Sequence, residues 1–141
     1  MTWTRQLPVV LCGRNSEVSA WVTKALQPEY QVIRSILCEK AGQREIPSLL
    51  AESPGFGSVG TAEAPVAVVV GGGYSQEDLE LLRAACQGLR PVTWVKVLPK
   101  GSLSSLPPPS EYGSELGERI KRYLNQLEEK GQLGEDCVHG I

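Results

Sequence analysis

Val66-Ala67-Val68-Val69-Val70-Gly71-Gly72-Gly73 is the stretch that decides the fold class of this 141-residue chain. Its first five residues are small and β-prone, and none is polar, which is typical of a strand buried on both faces of a sheet. The glycines turn the chain, and Ser75 then caps a helix that has acidic residues in its first turn. The stretch therefore predicts a central strand followed directly by a helix.

The same pattern recurs on both sides of this stretch. Pro8–Gly13 is an apolar run ended by glycine, and the helix that follows it stops before Pro28. Tyr30–Leu37 and Pro91–Leu98 are rich in β-formers. Alternating strands and helices indicate parallel strands joined by right-handed crossovers, with helices on both faces. We therefore predict an α/β domain with a four-stranded, mostly parallel sheet of order 2-1-3-4, formed by residues 9–12, 31–36, 66–70 and 92–97.

The fourth predicted strand has features of an edge strand. Pro91 stands at its start and Lys96 lies within it, and both residue types are common on sheet edges. Residues 53–65 are rich in Gly, Ser, Pro and Ala and are predicted to form a long surface loop.

The carboxyl-terminal part predicts one long helix and a tail. The helix is expected to start at Ser110 or Ser114 and to end at Lys130, and the last ten residues are expected to fray. The sequence thus predicts a single domain over residues 1–130 and a C-terminal tail over residues 131–141.

Charge and hydropathy exclude two classes of partner. The net charge is −2 and the 14 Lys and Arg residues are scattered, so there is no basic stripe for nucleic acid. No apolar run approaches the roughly 18–20 residues of a membrane helix. The segment Met1–Pro8 lacks the apolar stretch of a signal peptide, which predicts a cytoplasmic protein, with a nuclear location as the alternative.

The cysteines do not form a metal or disulfide pattern. They are widely spaced, no CxxC pair occurs, and His139 is the only histidine. We therefore predict no metal site and four free thiols. Cys12 ends the first strand beside a helix N-terminus, where it is either an activated thiol or a small core residue. The four positions are Cys12, Cys38, Cys86 and Cys137.

The strand order predicts the position of a ligand crevice. Ligands of open parallel sheets bind beyond the carboxyl ends of the strands where the order reverses, which here is between the first and third strands. Both turns precede helix N-termini, which attract anions, so an anionic small molecule is the expected ligand. The glycines of the second turn serve either a positive φ or the close approach of a ligand. The candidate residues are Gly13, Arg14, Asn15, Ser16, Gly71, Gly72, Gly73 and Tyr74.

Residues 8–37, with the stretch VVLCGRNSEVSAWVTKAL, resemble the first β-α-β unit of NAD(P)-binding Rossmann domains of the short-chain dehydrogenase-like type. Gly13, Ser16 and Ser19 fall on the three glycine positions of that motif. The resemblance implies a Rossmann-like or flavodoxin-like three-layer fold, and Arg34 falls where NADP-preferring relatives often bind the 2′-phosphate. Because Ser16 obstructs the approach of the pyrophosphate, we assign no cofactor and expect NADP(H) to bind weakly or not at all.

The catalytic half of that family is missing. Its Tyr-x-x-x-Lys pair does not occur, because the fourth residue after Tyr30, Tyr74 and Tyr112 is never lysine. Serine-histidine chemistry would depend on His139 alone.

Two classes of function remain open. One is a small intracellular Rossmann-like module that acts by self-association as a homodimer, or by binding a protein partner, with a vestigial ligand crevice. The other is a small lyase, isomerase or cyclase that acts on an anionic intermediate between Gly13 and Gly73. Whether the protein is an enzyme is left undecided at this stage.

Overall fold

The computed structural model describes residues 7–27, 29–51, 65–89, 91–97 and 108–141. Apart from Pro65, the loop predicted over 53–65 lies outside these residues. Strands and helices alternate along the described chain in the order β1 (Leu7–Cys12), α1 (Ser16–Leu26), β2 (Tyr30–Ile36), α2 (Glu39–Ala51), β3 (Ala67–Val70), α3 (Gln76–Ala85), β4 (Thr93–Lys96), α4 (Pro109–Glu129) and β5 (Cys137–Gly140).

The strands form one parallel sheet of order β2-β1-β3-β4-β5. All four residues of β3 are buried, and this strand lies at the centre of the sheet, as the apolar run at 66–70 predicts. The prediction of an α/β fold with a parallel sheet is therefore confirmed. The predicted number of four strands is wrong, because a fifth strand pairs with β4.

The fifth strand corrects two expectations together. β4 is an internal strand rather than the edge, because β3 and β5 pair with its two sides. The final residues do not fray: Cys137–Gly140 form β5, and the backbone N–H of Ile141 donates to the carbonyl oxygen of Lys96 at 3.0 Å. Pro91 is compatible with the internal strand because it precedes β4 and takes no ladder position.

The helices cover the sheet in two layers. α1 and α4 pack on one face with the core residues Val9, Val69 and Val95, whereas α2 and α3 pack on the other face with Val10 and Val68. Within the described residues, no helix is long and apolar enough to cross a membrane.

Two glycines let α4 lie directly against α1. A Cβ atom at Gly113 would stand 2.6 Å from the Cβ of Trp21, and one at Gly117 would stand 2.5 Å from the Cβ of Ala25. Larger residues at these positions would force the helices apart, so the close packing of α4 on α1 depends on glycine at both positions.

Candidate functional site

The two turns of the predicted crevice lie in direct contact. The N–H of Gly71, just after β3, donates to the carbonyl oxygen of Cys12 at 2.8 Å. A Cβ atom at Gly71 would stand only 3.1 Å from that oxygen, so glycine allows the close approach of the two turns, and a side chain there would push them slightly apart. Positive φ is not the reason, because the described glycines with positive φ are Gly88, Gly131 and Gly134.

Arg14 fills the space between the turns. Its Nε donates to the carbonyl oxygen of Gly73 at 2.8 Å, and its Nη2 donates to Oδ2 of Asp78 at 3.0 Å. Its Cζ lies 4.4 Å from the ring centroid of Tyr74, which is a cation–π distance. The crevice is thus occupied by the chain's own guanidinium.

Polar side chains also cap the N-termini of α1 and α3, the two helices that begin beside the crevice. Oδ1 of Asn15 accepts hydrogen bonds from the N–H groups of Glu17 and Val18 at 2.9 and 3.1 Å. Ser75 and Asp78 form a reciprocal capping box at the start of α3. The hydrogen bonds from Ser75, together with the bond from Arg14, hold the pKa of the Asp78 carboxyl below its usual value.

Tyr74 and Cys12 lie beneath the turns as core residues. The hydroxyl of Tyr74 donates to the carbonyl oxygen of Ile36 at 3.3 Å, and burial raises the pKa of this phenol. Cys12 is fully buried, and desolvation, followed by the neighbouring Cys86, raises the pKa of its thiol to about 12. This environment supports the interpretation of Cys12 as a core residue, since an activated thiol needs a lowered pKa.

The remaining predicted residues do not converge on the crevice. Arg34 on β2 forms an ion pair with Glu45 of α2 at 3.4 Å, and its side chain is half exposed. Ser16 is exposed at the start of α1. Ser19 is buried instead, and its Oγ would stand 2.5 Å from a Cβ atom at Gly13, so these two residues serve packing between β1 and α1.

Sequence reasoning missed Lys96, which the structure places beside the crevice, at the carboxyl end of β4. Only 5% of Lys96 is exposed, and its Nζ donates to the carbonyl oxygens of Val97 at 2.8 Å and Gly71 at 3.3 Å. Burial lowers the pKa of Lys96, and the nearby Asp78 carboxylate partly opposes this shift. The lysine within an otherwise apolar strand could have indicated a buried charge, but we interpreted it as a sign of an edge strand.

A cavity of about 380 Å³ lies at the opposite end of the sheet, near the start of β4. Its walls include Leu50, Cys86 and Trp94, and at its rim Arg83 pairs with Asp136 at 3.2 Å. None of the predicted crevice residues lines it. The described residues also contain no group of three or more His, Cys, Asp or Glu side chains that could hold a metal ion.

One curated protein is similar to nearly the whole chain. It is Kojic acid related protein 6 of Aspergillus oryzae (strain ATCC 42149 / RIB 40), which is 41% identical over 137 residues. The match covers 96% of this chain and 86% of the relative. No family model matches the chain, and the search of solved structures found no significant match.

Proposed function

The chain belongs to the same family as Kojic acid related protein 6, and we propose that it is a Rossmann-like binding module that acts by associating with a second copy of itself. The name of the relative relates that protein to kojic acid, but it specifies neither a reaction nor a ligand. The choice between a module and an enzyme therefore rests on geometry.

The observation that carries this proposal is the outer side of β5, with which no other described strand pairs. Cys137 and Val138 are exposed, and β5 contains neither a charged residue nor a proline, the usual devices that protect an edge. Backbone groups of alternate residues point to the same side of a strand. Since the N–H of Ile141 bonds to β4, the N–H and C=O groups of Val138 and Gly140 point outward.

A second β5 can satisfy these groups with two-fold symmetry. Antiparallel pairing centred on His139 places Val138 of each copy opposite Gly140 of the other, which allows about four hydrogen bonds. It also keeps the acidic residues Glu135 and Asp136 of the two copies at opposite ends of the contact. The edge is short, so the expected dimer is weak and forms at concentrations of tens of micromolar or more.

The side chains at the crevice favour a module over an enzyme. Arg14, which lies between the turns, supplies a positive charge but no nucleophile and no carboxylate. The only histidine of the chain, His139, is hydrogen-bonded to the hydroxyl of Tyr123 at 2.7 Å and lies on β5, away from that crevice. The hydroxyl of Ser75 lies beside the carboxylate of Asp78, but both groups cap the N-terminus of α3.

The crevice residues also do not fit a dinucleotide. Ser16 and Ser19 stand where the dinucleotide motif has its second and third glycines, and Arg34 is already paired with Glu45. We therefore expect a fluorescence titration with NADPH to show no saturation in the low micromolar range. Tight binding that the substitution Arg34→Ala abolishes would instead support an oxidoreductase.

Sedimentation velocity on Val138 variants tests the self-association. Val138→Pro removes an outward N–H that the single chain does not use, whereas Val138→Thr keeps this N–H and the branched shape. We expect wild type and Val138→Thr to dimerise between 10 and 500 µM, on the order of the range where weak interfaces form, and Val138→Pro to stay monomeric. A wild type that remains monomeric over this range, or a Val138→Pro variant that dimerises as wild type does, would contradict the proposal.

A further inference from the structure

Lys96 carries a buried charge, and the nearby Asp78 carboxylate does not form an ion pair with it. Its two hydrogen-bond acceptors among the described residues, the carbonyl oxygens of Val97 and Gly71, are uncharged. None of the ion pairs formed by described residues includes Lys96. Burying a charge without an ion pair costs free energy. An anion that binds beside the Lys96 ammonium, at the carboxyl end of β4, would therefore be stabilised by it.

A second cation stands on the same turn. The guanidinium of Arg14 bonds to Gly73, while Lys96 bonds to Gly71 two residues earlier. Among the described residues, the only carboxylate bonded to this pair of cations is that of Asp78, which already accepts hydrogen bonds from Arg14 and from the N–H of Ser75. Together, these two cations and one carboxylate carry a net charge of +1.

The turn after β3 contains backbone N–H groups that can still donate hydrogen bonds. The N–H groups of Gly71 and Tyr74 bond to backbone carbonyls, but those of Gly72 and Gly73 make no hydrogen bond to another described residue. Successive glycine amides in a turn before a helix form a concave surface that suits an anion.

We propose that the turn Gly71–Ser75 binds the phosphate group of a small molecule, with Lys96 as a fixed positive charge and Arg14 as a movable clamp. Arg14 can move because nearly half of its side chain is exposed, and exposed ion pairs contribute little free energy. A tetrahedral phosphate can accept hydrogen bonds from the guanidinium and from the glycine amides at once, whereas a planar carboxylate has fewer acceptor directions. This site lies at the carboxyl end of β3 and is independent of self-association through β5.

Inorganic phosphate is the probe that tests the site. In ¹H–¹⁵N spectra recorded at constant ionic strength, with chloride replaced by phosphate, we expect saturable shifts of the Gly72 and Gly73 amides at millimolar concentration. Lys96→Met removes the fixed charge and keeps an apolar stem of similar length, so affinity should fall at least about tenfold. Arg14→Gln should weaken binding about threefold to tenfold. Lys130→Met, which removes an exposed lysine at the end of α4, should leave the affinity unchanged.

Each outcome decides the proposal. Phosphate shifts that are absent in wild type, or that are equally strong in Lys96→Met and in wild type, would overturn it. If Lys96→Met fails to fold, Arg14→Gln takes its place, because Arg14 is largely a surface residue. Wild-type affinity in Arg14→Gln would then overturn the role of the clamp and, with it, the proposed site.

Discussion

The two outer strands of the sheet, β2 and β5, are held in place by different forces. β2 is buried at both ends: Tyr30 is 1% exposed and donates a hydrogen bond to Oδ1 of Asn125 at 2.7 Å, and Ile36 is 1% exposed. The four residues of β5 are exposed or only partly buried. β5 is fixed instead by polar contacts, among them the bond between Tyr123 and His139.

The difference shows that β2 is anchored in the apolar core by its two end residues, whereas β5 is held beside β4 by polar contacts. Strand β2 gains stability from apolar burial, and its ion pair between Arg34 and Glu45 places charge on that edge. Strand β5 has no such protection and keeps outward backbone groups. The comparison predicts that β2 contributes stability and that β5 contributes the association surface.

A pair of alanine substitutions should show the largest difference between the edges. Ile36→Ala removes a side chain buried against α2 and α3, so the free energy of unfolding should fall by about 2–4 kcal/mol. Val138→Ala removes a side chain that is 38% exposed and should cost less than about 1 kcal/mol. Urea denaturation at a protein concentration low enough to keep the chain monomeric measures both values. Equal losses at the two strands would break the comparison.

Thr93 is the residue through which β4 holds the chain before β5. It is fully buried, its Oγ1 donates to the carbonyl oxygen of Glu135 at 2.9 Å, and it accepts from the N–H of Gly134 at 2.7 Å. Thr93→Val keeps the shape but leaves these groups unpaired, so we expect a loss of about 1–3 kcal/mol. Hydrogen exchange should rise in β5 while β2 stays protected.

The matched control for this change is Thr23→Val in α1, where the hydroxyl also donates to a backbone carbonyl, that of Ser19. It should leave exchange in β5 unchanged. If Thr93→Val loosens both outer strands to the same degree, the polar attachment of β5 is not local, and the comparison fails.

The thiols distinguish exposed positions at both outer strands from positions in the core, without changing the fold. Cys137 on β5 and Cys38 just after β2 are exposed, whereas burial raises the pKa of Cys86 to about 11 and, with Cys86, that of Cys12 to about 12. The thiolate is the reactive form, so at pH 8 Cys38 and Cys137 should react first with a thiol reagent. Cys12 should react only on unfolding. Four thiols should titrate in denaturant without reductant, and finding two would disprove the predicted free cysteines.

The sequence allowed prediction of those parts of the fold that depend on apolar pattern. The run at 66–70 identified the central strand, and the glycine-ended run at 8–13 identified β1, because buried parallel strands need continuous apolar residues. β5 could not be predicted this way. Its sequence Cys137-Val138-His139-Gly140 has no apolar period, and its order depends on contacts that begin with Thr93, more than 40 positions away in the chain.

The candidate site, too, could be predicted only where it depends on local sequence. The turns at 13–16 and 71–75 were placed correctly at the carboxyl ends of β1 and β3, since glycine after an apolar run marks a strand end. That Arg14 would fill the space between them depends on Asp78, 64 positions away. The placement of the Lys96 ammonium depends on its contact with Gly71 in the turn after β3, 25 positions away. Both are tertiary effects that no local pattern records.

Concentration-dependent hydrogen exchange tests the central claim, association through β5, most directly. The outward N–H groups of Val138 and Gly140 bond to no other described residue of the single chain and are paired in the proposed dimer, whereas β2 is the same in both. We predict that their exchange slows at least about tenfold as the protein concentration rises from 5 to 500 µM, a range of the order expected for a weak interface, while exchange in β2 stays constant. Exchange at Val138 and Gly140 that does not change with concentration, or slowing confined to β2, would contradict the claim.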